Sequence, residues 1–212
     1  QAVKKIFAAK DRPQDNPLIL HVAGKDQVGR LVDGVPETAR KLVEAFWPGP
    51  LTLVLKRSGV VPDVITAGLD SVAVRMPANN VALALIRAVG APLAAPSANL
   101  SGKPSPTAAG HVVDDLDGRV DAVLDGGEVD IGIESTVVDL TGDVPRVLRP
   151  GRITKEELEA VVGEVRQYEQ DAGDKPRSPG MKYRHYSPDA RILVVKDRAG
   201  VEQALEEHSG EK

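Results

Sequence analysis

The 212-residue chain has no cysteine, which excludes disulfides, thiolate metal centres and a cysteine nucleophile. Aromatic residues make up only 3%, so valine, leucine, isoleucine and alanine must fill the interior. No apolar run approaches the roughly 18 residues of a membrane-spanning helix. No secretory signal is recognisable either, and a cytoplasmic location without membrane contact is the default expectation. No G-x-G-x-x-G follows a strand and no G-x-x-x-x-G-K-[ST] occurs, so neither the dinucleotide nor the P-loop phosphate cradle applies. His21, His111, His185 and His208 show no metal spacing, H-E-x-x-H is absent, and no G-x-S-x-G marks a nucleophile.

What is present is the composition of a folded protein. Hydrophobic residues are 42% and charged residues 27%, enough to bury a core in one large domain or a little more. The 20 glycines and 16 prolines fall between apolar runs, which indicates tight connections rather than disorder. A net charge of −4 argues against a surface devoted to nucleic acid, while local basic patches remain compatible with it.

Periodicity predicts helices over residues 1–10, 36–46, 81–89, 108–116, 154–162 and 200–208, the fifth opened by the capping box Thr154-x-x-Glu157. Strands are predicted at 17–22, 51–56, 71–75, 93–95, 122–125, 136–140, 146–148 and 191–195. The helix at 81–89 is apolar nearly all round, which predicts that it lies against a sheet. Interleaved strands and helices imply an α/β domain with a mixed, twisted sheet. The expected organisation is a domain over 1–165, a linker over 166–188, and the beginning of a second α/β unit over 189–212. The chain opens inside a helix and closes after one strand-helix pair, as a segment of a longer protein would.

Residues 92–107, P-L-A-A-P-S-A-N-L-S-G-K-P-S-P-T, stand out. A short apolar run stops at Pro96. Ser97, Asn99, Ser101, Ser105 and Thr107 follow, with Lys103 as a cation and no acid in the stretch. Neutral donors with a cation suit an anionic ligand; the plainer alternative is a turn whose hydroxyls only cap a helix. Further polar residues end other elements. Lys10-x-Arg12 closes the first helix, either as charge on its dipole or as phosphate ligands. Arg75 ends a strand, where it needs a carboxylate or phosphate partner. Glu134-Ser135-Thr136 leads into one strand and Arg149-Pro-Gly closes the next. Residues 175–188 carry Lys175, Arg177, Lys182 and Arg184, two tyrosines and no acid, a segment that could close over an anion or stack on nucleobases.

In order along the chain, Lys10-x-Arg12-Pro, Asn16-Pro-Leu-Ile-Leu-His21, Phe46-Trp-Pro-Gly-Pro, Ser71-Val-Ala-Val-Arg75, Ala94-Ala-Pro-Ser-Ala-Asn-Leu-Ser-Gly102, Glu134-Ser-Thr-Val-Val-Asp and Val147-Leu-Arg-Pro-Gly151 closely resemble the YrdC-like threonylcarbamoyl-AMP synthase family in its long, two-domain form. The resemblance implies a YrdC-like sheet flanked by helices with a concave anion-binding face. It also implies formation of threonylcarbamoyl-adenylate and pyrophosphate from L-threonine, bicarbonate and ATP, for a second enzyme that modifies tRNA.

Carried over by motif, Lys10, Arg12, Ser97 and Asn99 would form the catalytic group. Arg12, Asn16, Ser71, Ser97, Ser105, Arg149 and Tyr186 would face ATP, and His21, Arg75, Ala95 and Ser135 would hold threonine. Tyr186 would belong to a lid, and Mg2+ would ride on the phosphates without a protein cage. The family's Pro-Thr-x-Thr-x-Tyr-Gly-Leu segment has no counterpart here. Two rivals are an RNA-binding module of the same fold without ATP chemistry, and a domain of a carbamoyl-transfer enzyme. The 178–188 linker argues against the second.

Overall fold

Alternation along short apolar segments builds one mixed sheet in the computed structural model, which describes residues 1–168 and 193–208. Its strands are β1 (Ile19–His21), β2 (Leu51–Lys56), β3 (Ser71–Arg75), β4 (Leu93–Ala95), β5 (Thr136–Asp139), β6 (Arg146–Arg149) and β7 (Arg166–Gln167), in the order β4-β1-β3-β2-β5-β6-β7. Antiparallel pairs β4·β1, β3·β2 and β5·β6 alternate with parallel pairs β1·β3, β2·β5 and β6·β7. Around it lie α1 (Ala2–Lys10), α2 (Val28–Leu31), α3 (Glu37–Phe46), α4 (Asp63–Thr66), α5 (Asn80–Val89), α6 (Ala109–Leu116) and α7 (Lys155–Val162), with α8 (Arg198–Glu207) near the end of the chain. The α/β class and mixed sheet expected from the sequence are what is found.

Successive side chains of a strand point to opposite faces, and the two faces differ. Leu20, Leu53, Leu55, Val72, Val74, Val138 and Val147 enter the main core, where Phe7 of α1, Leu42 of α3 and Leu158 of α7 meet them. Each large aliphatic side chain sealed there stabilises the fold by about 1.5–3 kcal/mol. The intervening Ile19, Val54, Ala73, Val137 and Leu148 form only a small cluster. The two-residue period therefore puts Ser71 and Arg75 (flanking Ala73), His21 (beyond Ile19) and Thr52 (before Val54) on that thinner side. Ala95, in register with Ile19, joins them.

Local chemistry sets the boundaries. Asn79 accepts from the Ala82 N–H at 3.0 Å and caps α5, whose other end closes on Gly90 at φ 70°. The capping box at Thr154 and Glu157 forms as expected. Four readings need correction. Val81, Leu85 and Val89 are 39%, 41% and 52% exposed, so α5 buries one stripe through Leu83 and Ile86 rather than lying wholly against the sheet. Residues 122–125 form no strand and belong to an irregular connection over 117–135. Residues 193–195 are likewise not a strand. Residues 166–167, placed in the linker by composition, pair with β6.

Candidate active site

The end of β3, with β1 paired beside it, makes one wall. His21 and Arg75 are paired in register. Arg75 donates from Nε to the Gly49 carbonyl at 3.0 Å, and Gly49 N–H donates to Met76 O at 2.9 Å. A Cβ at Gly49 would stand 2.3 Å from Phe46 O, so only glycine turns the chain tightly enough here to offer that carbonyl. The bond orients the guanidinium by one edge and leaves its Nη groups to a ligand. Burial, opposed by Glu134 and reinforced by Arg149, holds the Arg75 pKa below its ordinary value. Burial first, then Arg75, lowers His21 to about 4, so it is a neutral imidazole at neutral pH. Its Nδ1 is shielded from solvent and unpartnered.

The 96–107 loop makes a second wall, and Lys10 fastens it. The Lys10 ammonium donates to the carbonyls of Ser97 and Asn99 and, at 3.4 Å, to Asn99 Oδ1. Ser101 N–H donates back to Lys10 O at 2.9 Å. Asn99 Nδ2 ties the loop internally to Leu100 O and Lys103 O at 2.9 and 2.8 Å. Lys10 is only 5% exposed, and burial, then Arg12, lowers its pKa to about 8. Lys10 and Asn99 therefore shape this wall from behind. Lys103, read from sequence as the loop's cation for an anion, is engaged at 2.9 Å by Asp115 of α6, whose other oxygen accepts Leu100 N–H at 3.1 Å.

The third wall joins residues 134–136 to 149–151. Arg149 donates to Ser135 O from Nε and Nη2 at 3.1 and 3.0 Å, and to Ser135 Oγ at 3.0 Å. Ser135 Oγ also meets Thr52 Oγ1 at 2.8 Å. Glu134 accepts from Ser105 Oγ and lies 3.6 Å from Arg149 Nη2. A Cβ on Gly151 would be 2.4 Å from both Glu134 O and Thr136 N, so the two segments touch backbone to backbone through a glycine.

Between these walls lies a cavity of about 480 Å³ to which Arg75, Ser97, Ser105, Glu134 and Ser135 all contribute. Arg149 reaches it through Glu134 and Ser135, and Lys10 holds the Ser97 carbonyl from behind. Arg12 donates to Pro17 O at 3.0 Å. Asn16, 2% exposed, keeps Oδ1 buried and unpartnered. Both flank the start of β1, and Ser71 begins the parallel β3, four residues or roughly 13 Å from Arg75 along an extended strand. Ser71, Arg75 and His21 thus spread along the thinner face of the sheet, with Arg12 and Asn16 beside the start of β1, a layout suited to an elongated ligand. Tyr186 and the basic residues Lys175, Arg177, Lys182 and Arg184 lie outside the described residues. Glu134 is a site residue that motif reading passed over; its signal was an acid directly beside the hydroxyl pair Ser135-Thr136.

Residues 1–151 match the Sua5/YciO/YrdC family, described as "Telomere recombination", and residues 153–212 match the threonylcarbamoyl-AMP synthase C-terminal domain. The chain belongs to the Sua5/YciO/YrdC family. Threonylcarbamoyl-AMP synthase of Pyrococcus abyssi is 55% identical over 210 residues, covering 97% of this chain and 62% of the relative. The Bacillus subtilis protein of the same name is 55% identical over 199 residues, covering 92% and 57%. The crystal structure of P. abyssi Sua5 complexed with L-threonine superposes with a TM-score of 0.91 at 54% identity, covering 97% of this chain and 62% of that one. The chain thus spans about 60% of the length of these relatives.

Proposed function

We propose that the protein of which this chain is part is an L-threonylcarbamoyladenylate synthase, a nucleotidyltransferase making threonylcarbamoyl-AMP and pyrophosphate from L-threonine, bicarbonate and ATP. The observation that carries the reading is convergence. Arg75 at the end of β3, Ser97 and Ser105 of the 96–107 loop, and Ser135 ahead of β5 line one cavity from three separate segments in a chain 55% identical to proteins of that name.

Arg75 receives the threonine carboxylate through its Nη groups, the forked geometry for which guanidinium is suited. Neutral His21, the Ala95 backbone and Ser135 complete the amino-acid end. Ser71 sits at the other end of the same face and Asn16 just before β1, where a nucleotide would lie, with Arg12, Ser97, Ser105 and Arg149 toward its phosphates. The threonine amine joins bicarbonate to give a carbamate and water. A carbamate oxygen attacks the α-phosphorus, and pyrophosphate leaves. The protein's work is mostly positioning and charge compensation, with Lys10 and Asn99 keeping the 96–107 wall in place. The linker after β7, with Tyr186, acts as a lid that keeps water from the carbamate, and residues 189–212 begin the second domain.

Among the described residues no group of three or more His, Asp or Glu could hold a metal ion. Mg2+ accompanying ATP is carried on phosphate oxygens, and no step is assigned to it. The product, a labile mixed anhydride, passes to an enzyme that modifies tRNA, and weak RNA contact through the basic linker serves that transfer. An RNA-binding module without ATP chemistry is the less favoured reading, given the relatives' names. The reaction is assigned to the cytoplasm, and no helix among the described residues is long and apolar enough to cross a membrane. Mass-spectrometric detection of threonylcarbamoyl-adenylate, dependent on all three substrates, tests the reading; ATP-independent, salt-sensitive RNA binding with no adenylate would replace it.

A further inference from the structure

We infer that Glu134 is an internal occupant of the phosphate position, a carboxylate that holds Ser105 and Arg149 in the empty site and is displaced when the nucleotide arrives. The inference rests on the proposed function and adds a residue to it.

Three observations lead there. Glu134 projects from the 117–135 connection into the cavity, where its carboxylate accepts a hydrogen bond from the Ser105 hydroxyl and stands 3.6 Å from Arg149 Nη2. A serine hydroxyl has one proton to donate, so Ser105 cannot donate to Glu134 and to a phosphate oxygen together. Second, the cations here oppose one another: Arg12 lowers the Lys10 pKa and Arg149 lowers that of Arg75, whereas Glu134 acts to raise both. Without a counter-charge the empty site would repel itself. Third, the connection bearing Glu134 is long and irregular and is joined to the facing loop at Val129 N–H to Thr107 O, 3.0 Å. The Glu134 backbone is held against Gly151, so the exchange is a turn of the Glu134 side chain, for which the irregular segment ahead of it can make room.

A dianionic phosphate entering beside Ser105 and Arg149 meets the Glu134 charge at short range. Repulsion between like charges a few ångströms apart is strong in a half-dry cleft. Exchange of one anion for the other relieves it and leaves the cations compensated in both states. The empty site thus keeps its donors oriented, at some cost in nucleotide affinity.

The test compares the unaltered protein with Glu134→Gln. Calorimetric titration with a non-hydrolysable ATP analogue, and separately with inorganic pyrophosphate, should give roughly tenfold tighter binding to the variant at low salt, shrinking as salt screens the charge. Threonine affinity should be unchanged. Unchanged or weaker nucleotide binding overturns the inference, and weaker threonine binding would instead make Glu134 the holder of the amino group. Should the variant not fold, a crystal structure of the unaltered protein with the analogue decides. A phosphate oxygen on Ser105 with Glu134 turned away supports exchange, and an intact Ser105–Glu134 contact beside a bound nucleotide overturns it. If the unaltered protein binds no nucleotide at all, the proposed function itself has failed, which is a different result.

Discussion

The two faces of the sheet share the same strands and differ in almost everything else. One is sealed by α1, α3 and α7 over aliphatic side chains that are nearly all inaccessible. The other has five small or medium apolar residues in its buried cluster and spends its remaining positions on Ser71, Arg75, His21, Thr52 and the Ala95 backbone. A single strand such as β3 serves both: Val72 and Val74 anchor it while Ser71, Ala73 and Arg75 present chemistry. The candidate groups are thereby fixed by a rigid ladder and kept apart from the main aliphatic core, although burial still disfavours the charged forms of His21 and Arg75.

The comparison breaks most sharply at the centre of the sealed face. Leu53 is fully buried, and Leu53→Ala should lower stability by about 2–5 kcal/mol. Denaturant melts should show the loss, and the fraction that still folds should keep its threonine affinity. On the open face, Arg75→Ala should reverse that pattern, raising the threonine requirement on the order of 100-fold, about 3 kcal/mol, with little change for ATP. Equal effects on both substrates would remove Arg75 from the carboxylate.

The next test is one of pH. His21 titrates at about 4 in the fold, lowered from 6.5 chiefly by burial. The unfolded chain therefore binds a proton that the folded one refuses, and stability falls as pH drops from 6.5 toward 4, by about 3 kcal/mol in all. Urea melts of His21→Gln should lack that part of the decline; an undiminished decline would refute the assignment. The smallest effect belongs to the helical side: Thr154→Ala removes the α7 cap and should cost about 1 kcal/mol, leaving both substrate affinities unchanged.

The same contrast explains what could be read from sequence. The bounds of β2, β3 and β4 were legible because proline, glycine and alternation are local signals. The polar series Asn16, His21, Arg75, Ser97 and Arg149 was legible as a set of element ends. What was hidden was pairing over long separations. That Lys103 belongs to Asp115, that Lys10 grips a loop some 90 positions later, and that Glu134 meets Ser105 depend on how walls are folded together. The exposure of Val81, Leu85 and Val89 was hidden for the same reason. Apolar periodicity reports a stripe and does not say how wide a neighbour covers it. The short helices α2 and α4 and the two-residue β7 carry too few residues for any period to register.

The junction at Gly151 has a consequence for biosynthesis. Ser135 is fixed by Arg149, and Gly151 must press against residues 134–136, so the cavity acquires its last wall only after Gly151 has left the ribosome. By then the sealed side of β1, β3 and β2 has had time to collapse. A nascent chain thus gains its last cavity wall late, just ahead of α7, the helix that completes the sealed face.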